Sequence, residues 1–315
     1  MAGKHDGLLY ALGNARLTGS YKTVYNHRKE ASRFVETLRA LGFGIEKWEK
    51  LTGRHVAPVV TAWQQAGLSV GTIKNYLAGV RAVCTAYGNK GISGENADFG
   101  LGRRNLTTNV NRAVPDQTFH LVVEHLRSAA PMACGRIALM LSYQREFGMR
   151  FEESCKFNPF RDVISERLIR IHVGTKGGRP RYLEVTNDRQ RAVIHQAFES
   201  KFYNGPRGGI IPRGMREEHW RGKVYRDVRS VSLATTGDGL RMHGLRHTYA
   251  QERYRDVAGF WPPCRYPSRE DFMQAATLAA GPTWRQSDEL ARCAVREELG
   301  HSPGRIDIDR HYLGR

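Results

Sequence analysis

Apolar residues recur at helical spacing along most of this chain, and the period shortens to an alternating one in a single region. That pattern restricts the fold to helical bundles carrying one small sheet. In "YKTVYNHRKEASRFVETLRALGFG" the apolar positions are Val24, Tyr25, Ala31, Phe34, Val35, Leu38 and Leu41, with basic residues between them and Gly42 as a stop. This predicts an amphipathic helix with a basic face. Two more helical stretches follow, "VAPVVTAWQQAG" and "SVGTIKNYLAGVRAVCTAYG", the second opening at Ser69 as N-cap and ending near Gly88. Short connections between them predict a small bundle. The segment "LTTNVNRAVPDQ", 106–117, is polar and non-periodic and carries Pro115, so a linker is expected there and a second domain from near Asp116.

That second domain opens with the helical stretches "DQTFHLVVEHLRSA" and "CGRIALMLSYQREFG". In "RLIRIHVGTKGGRPRYLEV" two β-rich runs, Leu168 to Val173 and Tyr182 to Val185, flank a Gly-rich connection and predict a hairpin. Helix returns from Asp188, "YNGPRGGIIPRGMR" reads as loop, "MHGLRHTYA" as helix, and "RYRDVAGFWPPCRYPSRE" as irregular.

A length of 315 residues suits two domains, each with its own core. With 49 Lys and Arg against 31 Asp and Glu and a formal net charge of +18, the surface repels itself unless it meets a polyanion, of which DNA or RNA is the first candidate. Affinity for nucleic acid is then expected to fall steeply as salt rises. No apolar run approaches the length needed to span a bilayer, and the N-terminus lacks a signal-peptide layout, so a cytoplasmic protein is expected. The five cysteines include no C-x-x-C pair and suit reduced thiols.

The stretch "MHGLRHTYA" places His243 and Arg246 on one helical face, with Leu245 and Tyr249 available to anchor the other side. Such a cluster suits a held phosphate, or else simply lines a solvated basic helix. His243 and His247 also stand at i and i+4, but without the acidic partner of an H-E-x-x-H site. No P-loop and no clustered Asp and Glu site is evident, and neither metal nor cofactor is expected.

The C-terminal stretch "REELGHSPGRIDIDRHYLGR" contains His301 in L-G-H and then Tyr312. H-G-L-R-H-T-Y-A followed by E-L-G-H and a tyrosine resembles the catalytic half of the tyrosine recombinases, the phage integrase family of site-specific DNA recombinases. Upstream, "FGMRFEES" resembles that family's first arginine box, giving Arg150 with Glu153 one turn later, and "TKGGRPRYLEV" resembles its hairpin, giving Lys176.

The resemblance implies a mainly α fold with a small antiparallel sheet. A helical core-binding domain clamping DNA would occupy 1–110 and an α+β catalytic domain 111–315. It implies Tyr312 as nucleophile, Arg150 and Arg246 as phosphate ligands, His243 as base, Lys176 as general acid and His301 as a phosphate donor or positioner of the tyrosine. Glu153 would orient Arg150 or a neighbouring cation. Cleavage would pass through a 3′-phosphotyrosyl link, without ATP or metal, to integrate or excise a mobile element of prokaryotic or phage origin. Partners implied are double-stranded DNA at specific sites, a homotetramer on that DNA, and accessory DNA-bending or directionality factors, with nucleoid association and no membrane. Lys22, Arg28, Lys74, Arg81, Arg179 and Arg181 are candidate phosphate contacts. Alternatives are an inactive DNA-binding or architectural protein with this fold, and a type IB topoisomerase-like enzyme that nicks and reseals one duplex.

The chain departs from the family pattern in three ways. From Arg246 to His301 is 55 positions (301 − 246), longer than usual, so an insertion is expected near 252–290. From His301 to Tyr312 is 11 positions (312 − 301), also longer. The chain stops at Arg315, so the tail that many relatives pass to a neighbouring protomer is expected to be missing.

Overall fold

The computed structural model describes residues 6–104, 109–130, 132–175, 178–203, 205–302 and 304–315. The chain separates into two compact units, Met1–Asn105 and Leu106–Arg315.

The first unit is all helical, with α1 (Gly7–Asn14), α2 (Tyr21–Ala40), α3 (Gly53–Gln65) and α4 (Val70–Ala86). Its long helices begin at serines that cap them: Ser20 Oγ accepts from Thr23 N and Ser69 Oγ from Thr72 N, each at 3.2 Å. The apolar stripe read from α2 is buried at Ala31, Phe34, Val35 and Leu38, against Ile73, Leu77, Val80 and Val83 of α4 and Trp48 and Trp63 nearby. Gly79 allows α4 to close on α2, since a Cβ there would stand 2.7 Å from the His27 carbonyl oxygen.

The second unit contains α5 (Asp116–Ala129), α6 (Cys134–Phe147), α7 (Phe151–Lys156), α8 (Pro159–Asp162), β1 (Val163–Ser165), β2 (Leu168–Ile171), β3 (Arg181–Glu184), α9 (Asp188–Glu199), α10 (Glu217–Thr236), α11 (Met242–Ala258), α12 (Arg269–Ala280), α13 (Trp284–Glu298) and α14 (Ile306–Leu313). The predicted hairpin is β2 and β3, antiparallel with Leu168 opposite Glu184 and Ile171 opposite Arg181. The short β1 joins the other edge of β2 to give order β1-β2-β3. At its centre, α6 is buried on every side. Arg145 of α6 is only 2% exposed, and it survives burial because carboxylates surround it. It pairs with Asp116 at the start of α5, with Glu146 at 3.2 Å and with Glu252 of α11 at 2.6 Å, and Arg189 of α9 joins the last two of these carboxylates.

One expectation is corrected, and one helix is added. The stretch 253–270 is not irregular throughout, because α11 continues to Ala258 and stops at Gly259. Residues 217–236, after the expected loop, form the 20-residue α10. The region 252–290 is ordered: it comprises the end of α11, a short 3-10 turn at Pro263–Arg265, α12 and the start of α13. Phe260, Phe272 and Trp284 pack there, the first pair tilted and the second edge-to-face, with ring centroids 5.9 and 5.5 Å apart. The guanidiniums of Arg255 and Arg265 both lie over the Trp261 ring, 4.4 and 4.7 Å from its centroid.

Candidate active site

Four segments far apart in sequence meet beside α6. Gly148 ends that helix with φ +57, a left-handed conformation that suits glycine, and a Cβ there would strike the Tyr249 ring at 2.5 Å. The turn sends Arg150 outwards as the N-cap of α7 and presents the Gly148 carbonyl to Arg246 of α11.

Arg246 is 1% exposed and directs all three of its nitrogens to acceptors of its own chain. Nε donates to the Tyr312 hydroxyl at 3.1 Å, Nη1 to the Gly148 carbonyl, and Nη2 to the Leu299 carbonyl at 2.6 Å, with His301 Nε2 at 3.4 Å. Desolvation pushes its pKa down to about 10, which leaves it cationic at neutral pH. The alternative of a solvated basic face is therefore overturned at this part of the helix, since Arg246 and His247 are both buried; beside them His243, in the first turn, reaches solvent.

Arg150 shares one of these partners. Its Nη2 donates to the Leu299 carbonyl at 3.2 Å and its Nη1 to Glu153 at 2.7 Å, and the Glu153 carboxylate also accepts the Arg150 backbone N–H at 2.7 Å. Glu153 is wholly buried and receives a two-pronged pair from Arg181 of β3, both bonds 2.7 Å. Burial alone would raise the pKa of Glu153, but the hydrogen bonds and charge of Arg181, with Arg246 and Arg150 behind, hold it at about 2. This corrects one phosphate-contact candidate: Arg181 is not a surface cation but a buried partner of Glu153. The alternation of β3 carried the signal, because Arg181 shares a strand face with buried Leu183.

The Glu153 pKa has a measurable consequence. Since it lies below the unfolded value of about 4.3, the pairing contributes stability that is complete above that value and is lost as pH falls towards 2. Urea unfolding of wild type and Glu153→Gln is expected to show a stability gap that narrows by about 2 kcal/mol between pH 6 and pH 3. A gap independent of pH would refute the assignment.

The histidines flank Tyr312. His301, after α13, has its pKa lowered to about 3, by desolvation first and then by Arg246, Arg150 and Arg181. His243 is packed against protein on one side, and desolvation followed by the charges of Arg246, His311, Arg150 and Arg112 lowers its pKa to about 4. Both rings are neutral at pH 7 and have a lone pair to offer. Tyr312, on α14, is 5% exposed, with ring centroids 5.8 Å from His243, 6.3 Å from His301 and 4.6 Å from His247. The 11-residue path from His301 (312 − 301) thus suffices to bring Tyr312 to Arg246. Lys176 lies outside the described residues.

The remaining surface candidates divide. Lys22 and Arg28 on α2 are exposed, although Arg28 donates to the Ala15 carbonyl at 3.2 Å; Lys74 on α4 is half-buried. Arg81 is committed to its own unit, donating to the Ser93 carbonyl at 2.9 Å and to Asn96 at 3.0 Å. Arg179 is exposed and donates to Ser302 at 2.8 Å. Sequence reasoning missed a basic groove between α10 and α11, where Tyr225, Arg226, Arg229 and Arg241 lead to His243. Once α10 is recognised, the i, i+3 spacing of Arg226 and Arg229 puts both on one face.

Comparison with known proteins bears on the fold and the family. None of the curated proteins compared matches the chain. Among solved structures, the Tn1549 transposon integrase in complex with a circular-intermediate DNA is similar over 98% of this chain and 95% of that one, with 13% identity and a TM-score of 0.60. A lambda integrase dimer bound to a COC′ core site is similar over 97% and 93%, with 15% identity and a TM-score of 0.59. The XerH site-specific recombinase in a post-cleavage complex with a palindromic difH substrate is similar over 98% and 89%, with 14% identity and a TM-score of 0.55. These likenesses concern the fold. The family description "Phage integrase, N-terminal" matches residues 9–93 and "Integrase" matches 102–252, so between them they span most of the sequence. The chain belongs to the phage integrase family of tyrosine recombinases.

Proposed function

We propose that this recombinase cuts and rejoins DNA at specific sites through Tyr312. The observation that carries the reading is the convergence of Arg150, Arg246, His301 and Tyr312 from four separate segments, with Arg246 in hydrogen-bond contact with the phenol at 3.1 Å. The Tyr312 oxygen attacks the scissile phosphorus, the bond to the 5′ oxygen breaks, and a 3′-phosphotyrosyl link forms. Negative charge gathers on the non-bridging oxygens, where Arg246 and Arg150 stabilise it; a guanidinium fork fits those oxygens as an ammonium does not. His243, neutral at pH 7, takes the phenol proton. Lys176 gives a proton to the departing 5′ oxygen. Glu153 holds Arg150 and Arg181 in place and does not touch DNA.

The link conserves the energy of the phosphodiester, so a 5′-hydroxyl from a second duplex reverses the reaction and completes the exchange. The first unit clamps DNA through exposed cations such as Lys22 and Arg28, while the groove at Arg226, Arg229 and Arg241 guides the strand to His243. The protein works as a homotetramer on DNA, with accessory factors setting direction, in the nucleoid of a prokaryote that hosts a mobile element; no described helix is long and apolar enough to cross a membrane.

The test is a suicide duplex carrying the element's attachment site, nicked so that the released fragment diffuses away, followed by denaturing gels and product analysis. A protein-linked 3′ fragment together with recombinant joints supports the reading. Relaxed circles without joints indicate a topoisomerase-like enzyme, and bound but uncut DNA indicates a binding protein; either overturns it.

A further inference from the structure

Three imidazoles gather where the proposed mechanism employs only one. His243 and His247 stand one turn apart on α11, and His311 faces them from α14, immediately before Tyr312. Their ring centroids are 5.3 Å apart for His243 and His247, 5.2 Å for His247 and His311, and 6.3 Å for His243 and His311. Each offers one nitrogen, and the three nitrogens lie within 4.8 Å of one another. Three histidines on a tetrahedral cation, with metal–nitrogen bonds of about 2.0–2.1 Å, have nitrogens about 3.3 Å apart and ring centroids about 5.2 Å apart. The rings already have nearly that spacing, and each donor closes the difference by moving less than about 1 Å, within the range of a side-chain adjustment.

His247 supplies an independent reason to look for a ligand. It is 1% exposed, and neither Nδ1 nor Nε2 has a hydrogen-bond partner among the described atoms; the Tyr312 backbone approaches the ring without completing one. A buried polar group without a partner costs stability, and a fold keeps one where the group has another use.

We propose that His243, His247 and His311 form a site for a borderline divalent cation such as Zn²⁺ or Ni²⁺, and that its occupancy silences DNA cleavage. An all-imidazole donor set selects such ions over Mg²⁺ and Ca²⁺, which demand oxygen ligands. Arg246, Arg150 and Arg112 weaken the attraction for a cation, so the site is a reversible one rather than a permanent structural metal. The third ligand is what an H-E-x-x-H template misses, because it comes from a separate helix 64 positions beyond His247 (311 − 247).

The silencing follows from which atoms the cation occupies. Coordination takes the lone pair with which His243 would receive the phenol proton, and it ties α14, the helix that carries Tyr312, to α11. This part rests on the role proposed for His243; the binding part does not.

The test uses the full chain without an affinity tag, with its thiols reduced, titrated calorimetrically with NiCl₂ and separately with ZnCl₂. One equivalent is expected to bind, and His311→Gln is expected to lower the affinity by more than ~10-fold, the lower bound for losing even an outer-sphere partner. His311 takes no part in the proposed chemistry, so the variant should still form the covalent DNA adduct. No binding, or binding unchanged in both His311→Gln and His247→Gln, overturns the site. In the cleavage assay, Zn²⁺ should abolish adduct formation by wild type, EDTA should restore it, and His311→Gln should resist the metal. Cation binding that depends on His311 yet leaves cleavage untouched upholds the site and overturns both the silencing and His243 as base.

Discussion

Tyr312→Phe is expected to bind attachment-site DNA and form no covalent adduct with it, a loss of at least ~10³-fold in single-turnover cleavage, as for removal of other enzymatic nucleophiles. The substitution deletes one oxygen from a side chain that is 5% exposed, and the ring packing against His247 and His243 is retained. The fold should therefore survive, and circular dichroism with a gel shift would establish that it has. Adduct formation by the variant on a suicide duplex would remove Tyr312 from the mechanism altogether; of the described phenols on α11, Tyr249 is committed to Glu298 at 2.7 Å and Tyr254 to Asp288.

The second large effect is expected at Arg246. Arg246→Lys keeps the charge but removes the planar fork that reaches Gly148, Leu299, His301 and Tyr312 together. Cleavage should fall by about 10²–10³-fold, the range for losing one preorganised donor to a developing oxyanion. DNA affinity should change little, because it is spread over many surface cations. A variant that cleaves within a few-fold of wild type at saturating protein would show that Arg246 is architectural only. The same exchange at Arg150, which is partly exposed and supported by Glu153, provides the comparison.

Much of this was legible in the sequence because local rules and tertiary needs agree. Helix α2 follows its apolar stripe, α4 begins at the serine expected to cap it, and β2 pairs with β3 where the period changes. His243 and Arg246 are placed on one helical face by their spacing, whereas His301 and Tyr312 are named only through the family resemblance of short motifs; the structure brings Arg246, His301 and Tyr312 together. The legible part ends where burial contradicts residue type. Helix α11 is buried around most of its circumference, so its charged residues look like a solvated face until α6, α13 and α14 close over them. Arg181 and Arg145 are charged residues that burial tolerates only because carboxylates from other elements arrive, and a one-dimensional pattern does not report that arrival. His311 escaped notice for the same reason, since its partners are on another helix.

On the mechanism proposed above, the bond between Arg246 and Tyr312 would make the enzyme's own phenol a competing ligand for the place where a phosphate oxygen would sit. Capture of the substrate and release of the nucleophile are then two sides of one exchange of donors. The hydroxyl would then be held in reserve in the absence of DNA, and arrival of the phosphate would free it beside a neutral imidazole. By reciprocity, the energy spent on restraining the tyrosine is withheld from binding. Tyr312→Phe should accordingly hold the scissile phosphate more tightly than wild type, by up to about tenfold for one hydrogen bond; equal or weaker affinity in a salt-matched titration would refute the competition. A recombinase poised in this way would expose no reactive oxygen between encounters, and its readiness would be set by occupancy of the DNA site rather than by the protein alone.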